Sequence, residues 1–195
     1  MTAVALICHP ATPCNGIDRF DVGIHWITET KLSLHYTIDG DVNRLRLPNP
    51  RVSARGDRLW ESTCLEVFLR APGSTDYCEF NFAPSTAWAA YVFKAYRDGM
   101  RPLETDHPPQ LAVRSSRSRF ELDALLGGFT ESLPIGASGR LSVGIAAVVE
   151  EQDGARSYWA LRHPLAHPDF HHPESFVLTL GFGEPPSVSD LGSHH

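Results

Sequence analysis

Two short runs of the chain carry side chains that could do chemistry together. In Glu61–Arg70 the odd positions Leu65, Val67 and Leu69 are apolar, while Cys64, Glu66 and Phe68 fall on the other side, together with Trp60. In Tyr77–Phe82, Cys78, Phe80 and Phe82 share one side, and Tyr77, Glu79 and Asn81 the other. Successive side chains of an extended chain point to opposite faces. Pairing these two runs would therefore gather Trp60, Glu66, Tyr77, Glu79 and Asn81 on one side of one sheet. A Trp ring offers a flat apolar surface to the C–H face of a sugar, and Glu and Asn exchange hydrogen bonds with hydroxyls. Small-ligand sites are commonly apolar walls with a few fixed polar groups. The same residues would also make an ordinary solvated face with cross-strand polar pairs. Glu66 and Glu79 could in principle act as acid and base in glycoside hydrolysis, but any acidic sheet face offers such a pair. There is no GxSxG elbow, phosphate loop or HExxH. The reading is a non-catalytic, ligand-binding face.

A second chemistry-bearing stretch is Tyr158-Trp159-Ala-Leu-Arg162-His163-Pro-Leu-Ala-His167-Pro-Asp169-Phe-His171-His172-Pro173. His163, His167 and His171 recur every four residues, which on a helix would cluster them for a metal. Pro164, Pro168 and Pro173 forbid that helix. The expectation is an extended loop that covers one end of the fold, with the three histidines as weak metal candidates and no cofactor required. Heme needs axial ligands such as Met or His. Met1 and Met100 are the only methionines, so heme or a divalent ion is the alternative rather than the first reading. Cys8, Cys14, Cys64 and Cys78 form no CxxC pair, and buried free thiols are expected.

The elements that must position these residues read as strands. Lys31–Ile38 alternates, with Leu32, Leu34, Tyr36 and Ile38 on one face. Further strands are predicted at Ala3–Cys8, Phe20–Ile27, Val42–Leu47, Trp60–Arg70, Tyr77–Phe82, Trp88–Tyr96, Leu111–Ser116, Ser118–Leu122, Leu141–Glu150, Arg156–Leu161 and Ser175–Leu180. One helical turn is predicted at Asp123–Leu126. Hairpin signals stand at Asp39-Gly40-Asp41 and Gln152-Asp153-Gly154. Short strands with turn signals between them predict an all-β, antiparallel β-sandwich. The 195 residues suffice for one well-cored domain, placed at 1–183, with 184–195 as a disordered tail.

Composition narrows the partners. A net charge of −6 repels phosphate backbones, which argues against nucleic acid. The apolar start MTAVALICHP is short and lacks a preceding Lys or Arg. It is a poor signal peptide and far shorter than the roughly 20 apolar residues of a membrane span. These features predict no membrane and a cytoplasmic location. The expected partner is a small molecule, with a protein partner as the alternative.

The runs Asp57-Arg-Leu-Trp60-Glu-Ser-Thr-Cys64-Leu-Glu66-Val-Phe68, Tyr77-Cys-Glu79-Phe-Asn81-Phe-Ala-Pro84, Tyr96-Arg97-Asp-Gly99 and Tyr158-Trp159-Ala-Leu-Arg-His163, then Pro168-Asp-Phe-His171, resemble bacterial DOMON-like domain proteins, relatives of the family 9 carbohydrate-binding modules. The resemblance spans Leu6 to about Leu180. It implies a jelly-roll-like sandwich of DOMON/CBM9 type that holds sugar or, in another branch, heme. In the sugar-binding branch two Trp rings clamp a terminal sugar. By that resemblance Trp60 and Trp159 would be the rings, with Glu66, Glu79, Asn81 and Arg162 bonding hydroxyls.

Overall fold

Alternating apolar residues drive the backbone into sheets because each such strand has one face to bury. The computed structural model describes residues 3–133 and 139–188. Its strands are β1 (Ala3–Ala5), β2 (Ile7–Cys8), β3 (Ile17–Thr28), β4 (Lys31–Gly40), β5 (Cys64–Arg70), β6 (Tyr77–Phe82) and β7 (Trp88–Phe93). The second half adds β8 (Arg101–Pro102), β9 (Gln110–Ser115), β10 (Arg119–Leu126), β11 (Arg140–Glu150), β12 (Arg156–Ala160), β13 (Leu178–Gly181) and β14 (Ser187–Val188). Five strands form one sheet in the order β1-β3-β4-β10-β9. Nine form the other, along the path β14-β13-β11-β5-β6-β7-β8, with β12 on β11 and β2 on β12. Every pairing between these strands is antiparallel. The expected all-β antiparallel sandwich is the fold.

The main core lies between the two sheets. Leu32, Leu34, Tyr36 and Ile38 of β4 point into it, as do Leu65, Val67 and Leu69 of β5 and Cys78, Phe80 and Phe82 of β6. The Tyr36 hydroxyl crosses this core and donates to the Glu66 carbonyl at 3.1 Å, which satisfies a buried O–H that would otherwise be costly.

Long β11 is the axis of the larger sheet. On one edge it carries β13 along Arg140–Val143 and β12 along Ala146–Glu150; on the other it carries β5. Its hairpin to β12 closes at Glu150↔Arg156, with Gly154 at φ 89, as the Gln152-Asp153-Gly154 signal predicts.

Three predicted elements differ. Val42–Leu47 is no strand: Val42–Arg44 is a 3-10 turn, and Leu45 makes only a single bridge to Glu151. The cause is Gly40, at φ 150, where a Cβ would meet the Gly16 carbonyl at 2.3 Å. The chain is pinned there against Gly16, and β4 takes β3 and β10 as partners instead. Asp123–Leu126 is the end of β10, not a helical turn, because Phe120, Leu122, Ala124 and Leu126 keep alternating into the core. Trp60 sits in a 3-10 turn, Leu59–Glu61, ahead of β5. Past residue 183, Ser187–Val188 pair with β13, and the rest of the expected tail, from 189, lies outside the described residues. Among the described residues no helix is long and apolar enough to cross a membrane.

Phe80 is fully buried between the sheets, 6.3 Å from the Phe129 ring. Phe80→Ala is expected to cost about 3–5 kcal/mol. Urea unfolding should show a lowered midpoint with an unchanged slope; a loss under about 1 kcal/mol would mean this core repacks freely.

Candidate functional site

The outer face of the larger sheet, away from the main core, is not a solvated surface. Phe68, Tyr77, Ala89, Tyr91, Phe93, Ala146 and Val148 form a second apolar cluster there, and Phe170 and Phe176 of the segment after β12 cover it. Within this interior lies a cavity of about 500 Å³, the size of a small-ligand site.

Its floor comes from β5 and β6. In the strand register Glu66 faces Asn81 and Phe68 faces Glu79, so the two glutamates are diagonal neighbours. Both line the cavity, and they are only 3% and 4% exposed. Asn81, fully buried, donates from Nδ2 to Glu79 Oε1 at 2.8 Å, and its Oδ1 has no hydrogen-bond partner. The Cys64 thiol, directed to the Leu65 carbonyl at 3.9 Å, is near enough to the Glu66 carboxyl to favour its ionised form.

The walls are aromatic. Trp60 is carried by its 3-10 turn and packs edge-on against Tyr91 at 5.8 Å. Tyr158 projects from β12, where it pairs with Val148, and its ring lies 6.1 Å from Phe170. Phe93, Met100, Arg97 and Arg156 complete the wall and rim, with Pro168, Phe170 and His171 above.

The segment 161–176 is held over the cavity at both ends. Near its start, His163 Nε2 donates to the Ile7 carbonyl (2.8 Å) and His9 Nε2 to the Leu165 carbonyl (3.2 Å). Farther on, Asp169 accepts from the Tyr96 hydroxyl and from Arg97 (2.8 Å), and also from the His171 amide (3.1 Å). Gly144 of β11 lies directly below, where a Cβ would be in ordinary contact, 3.4 Å, with the Ser175 carbonyl. Arg97 itself has φ 54, a left-handed conformation that costs a non-glycine residue energy. Its amide donates to the Tyr77 hydroxyl (3.3 Å) and its guanidinium to Asp169, which fixes it there.

The Tyr77 hydroxyl accepts from the Arg97 amide and is hydrogen-bonded to His171 Nδ1 at 2.8 Å. The other ring nitrogen, Nε2, faces Glu79 Oε2 at 3.7 Å. Burial, reinforced by the Arg97 charge, lowers His171 to about 4, so the ring is neutral. Burial raises Glu79 to about 7, against the Asn81 hydrogen bond and the Arg97 charge. Burial raises Glu66 well above the carboxylate range, and the Glu79 charge adds to it. Burial also opposes ionisation of Asp169, but the Tyr96 and Arg97 bonds outweigh it and hold its carboxyl low.

Of the residues singled out in the sequence, Trp60, Glu66, Glu79 and His171 line the cavity. Tyr77 and Asn81 lie behind it, bonded to His171 and Glu79. Trp159 is a correction. It pairs with Ala147 on the core face, packs 5.8 Å from Phe20, and donates to Ser157 Oγ at 2.9 Å. It cannot share a site with Trp60, because strand neighbours point to opposite faces; Tyr158 holds the position expected of it. Arg162 is directed instead to Glu174 at 3.1 Å. The three histidines do not form a metal set. His163 is bonded to Ile7, His167 is exposed and His171 faces Glu79, because three prolines keep the segment from winding into a helix. Among the described residues no group of three His, Cys, Asp or Glu side chains is placed to hold a metal ion. Tyr158, Phe93, Arg97, Arg156 and Phe170 were not anticipated. The β11–β12 hairpin signal with strict alternation was enough to find Tyr158; nothing local marked the others.

No family model matches the chain, and no curated protein matches it. Among solved structures it is similar to a candidate carbohydrate-binding protein from Bacteroides uniformis, with TM-score 0.68 and 16% identity over 93% of this chain and 86% of that one. At that identity the likeness is one of fold.

The charge arrangement makes stability depend on pH with a defined sign. Glu79 and Glu66 are raised in the folded state, so their contribution is complete below the ordinary value of 4.5 and is lost as pH rises through about 7 and above. His171, lowered to about 4, works the opposite way, losing stability as pH falls below its ordinary 6.5. The glutamates therefore act alone above about pH 6.5. Thermal unfolding from pH 6.5 to 8.5 should show a falling midpoint, with a slope of up to roughly 1.4 kcal/mol per pH unit for each proton released. Glu79 is mostly ionised in both states above about pH 7, so Glu66→Gln is the change that should flatten it; an equally steep fall in that variant would place the titrating group elsewhere.

Proposed function

We propose that the cavity between β5, β6 and segment 161–176 is a small-molecule binding site, and that its ligand is a carbohydrate. The observation that carries this is the pairing of Trp60 and Tyr158 as flat walls with the Glu66–Glu79 floor. Aromatic faces take the C–H side of a sugar ring, while fixed polar groups select its substituents. The carbohydrate-binding description of the Bacteroides uniformis protein, which shares the fold, supports the same reading.

The site binds rather than cleaves. Hydrolysis of a glycosidic bond needs two carboxyl groups flanking that bond. Glu66 and Glu79 rise from neighbouring strands of one sheet, so both approach a ligand from the same side. Heme fits poorly. A porphyrin face in this cavity would lie on two buried carboxyl groups, and the nitrogens of His171 already face the Tyr77 oxygen and Glu79.

The test is intrinsic tryptophan fluorescence during titration with a panel of mono- and oligosaccharides. One sugar should give a saturable change, and Trp60→Ala should weaken its binding roughly tenfold or more while the fold persists. Trp159→Ala should instead lower stability by about 3–5 kcal/mol, with affinity kept in the folded fraction. A flat response of the wild-type chain across the panel would end the carbohydrate reading and leave a protein partner as the subject of pull-down experiments.

A further inference from the structure

Once its carboxyls ionise, the floor of this cavity is short of donors. Glu66, 3% exposed, presents its carboxyl to the cavity, and Glu79 keeps Oε2 beyond the oxygen that Asn81 occupies. Behind the floor, opposite Glu66 in the register, the buried Asn81 Oδ1 is an acceptor without a hydrogen-bond partner among the described residues. The donors that could serve these groups are already used. Asn81 Nδ2 is on Glu79, and the Tyr77 hydroxyl is on His171.

The cations nearby are similarly engaged. Arg97 is bonded to Asp169, and Arg58 to Glu61. Arg156 stands exposed at the rim, and His171 is a neutral ring held between Tyr77 and Glu79. Two carboxyl groups on adjacent strands in an interior repel each other when ionised, and each loses its hydration. The Asn81 amide on Glu79, the Cys64 thiol by Glu66 and the Arg97 charge near both offset only part of these losses, since both carboxyls remain raised.

We infer that the ligand carries a protonated amine, seated over Glu66 and Glu79 beneath the aromatic walls, so that within the carbohydrate reading on which this rests the ligand is an amino sugar rather than a neutral one. An ammonium group has three donors and no acceptor, which complements the two carboxyls in the ionised form that a neighbouring positive charge favours. Its charge is attracted to aromatic ring faces, and Trp60, Tyr158, Phe93 and Phe170 surround the space above the floor. The remaining hydroxyls of such a sugar meet Arg97 and Arg156, the donors at the rim.

The experiment is calorimetric titration of the full chain at pH 6.5 with three oligosaccharides of the same length and linkage. One is built from glucosamine, one from N-acetylglucosamine and one from glucose. The glucosamine oligomer should bind about tenfold tighter or more than either neutral one, the value of a charge-assisted bond. Glu66→Gln and Glu79→Gln, near-isosteric changes checked by circular dichroism, should each reduce that preference, and together remove it. Neutral sugars binding as tightly as the amine form would overturn the inference while leaving the carbohydrate site standing. An amine preference unchanged in both variants would overturn it too, since the rim and not the floor would then hold the charge. Binding of none of the three would remove the carbohydrate reading and the inference together.

Discussion

Asp169 is the group on which the site depends. Its carboxylate takes hydrogen bonds from Tyr96, Arg97 and the His171 amide, and its backbone carbonyl accepts from Ser175 Oγ at 3.3 Å. This one residue therefore ties segment 161–176 to the turn after β7, and places Phe170 and His171 over the outer face of the larger sheet. Without that tie, Phe68, Tyr77 and Phe93 would be an exposed apolar patch and the two glutamates would be solvated. With it, the sheet has apolar packing on both sides. The ion pair works because it is reinforced by a hydroxyl and an amide; a single exposed Arg–carboxylate pair contributes little by itself.

Double burial also explains which parts of the fold were legible in the sequence. Leu65, Val67 and Leu69, like Cys78, Phe80 and Phe82, announce a core face by period-two alternation, and that face meets the other sheet as expected. The opposite face of the same strands mixes Glu66, Phe68, Tyr77, Glu79 and Asn81, which local pattern reads equally well as solvated surface or as a polar-lined interior. What decides between them is a segment some ninety residues away. Its role as a cover is set by the Asp169 bonds and by the His163 and His9 bonds at its start, and no local pattern encodes either.

The pair Tyr158-Trp159 shows the other limit. The resemblance to sugar-binding modules made the tryptophan the second wall. Register decides otherwise. Ala147 and Trp159 belong to the core-facing set of β11 and β12, while Val148 and Tyr158 belong to the outer set. A shift of one residue moves a side chain through the full thickness of the sheet. Likewise the i, i+4 spacing of the histidines had meaning only on a helix, and Pro164, Pro168 and Pro173 turned that spacing into three unrelated contacts.

The two glutamates are not equivalent, although they are neighbours with the same side chain. Glu79 has the Asn81 amide on one oxygen and the Arg97 charge nearby, and both favour its ionised form. Glu66 shares the Arg97 charge but has the Cys64 thiol, a weak donor, in place of an amide. When the pair gives up its first proton, Glu79 is the better place for the negative charge, and the resulting carboxylate then raises Glu66 further. The Asn81 amide sets this asymmetry. The left-handed backbone at Arg97 and the cover over the sheet meet in a single set of bonds around Asp169.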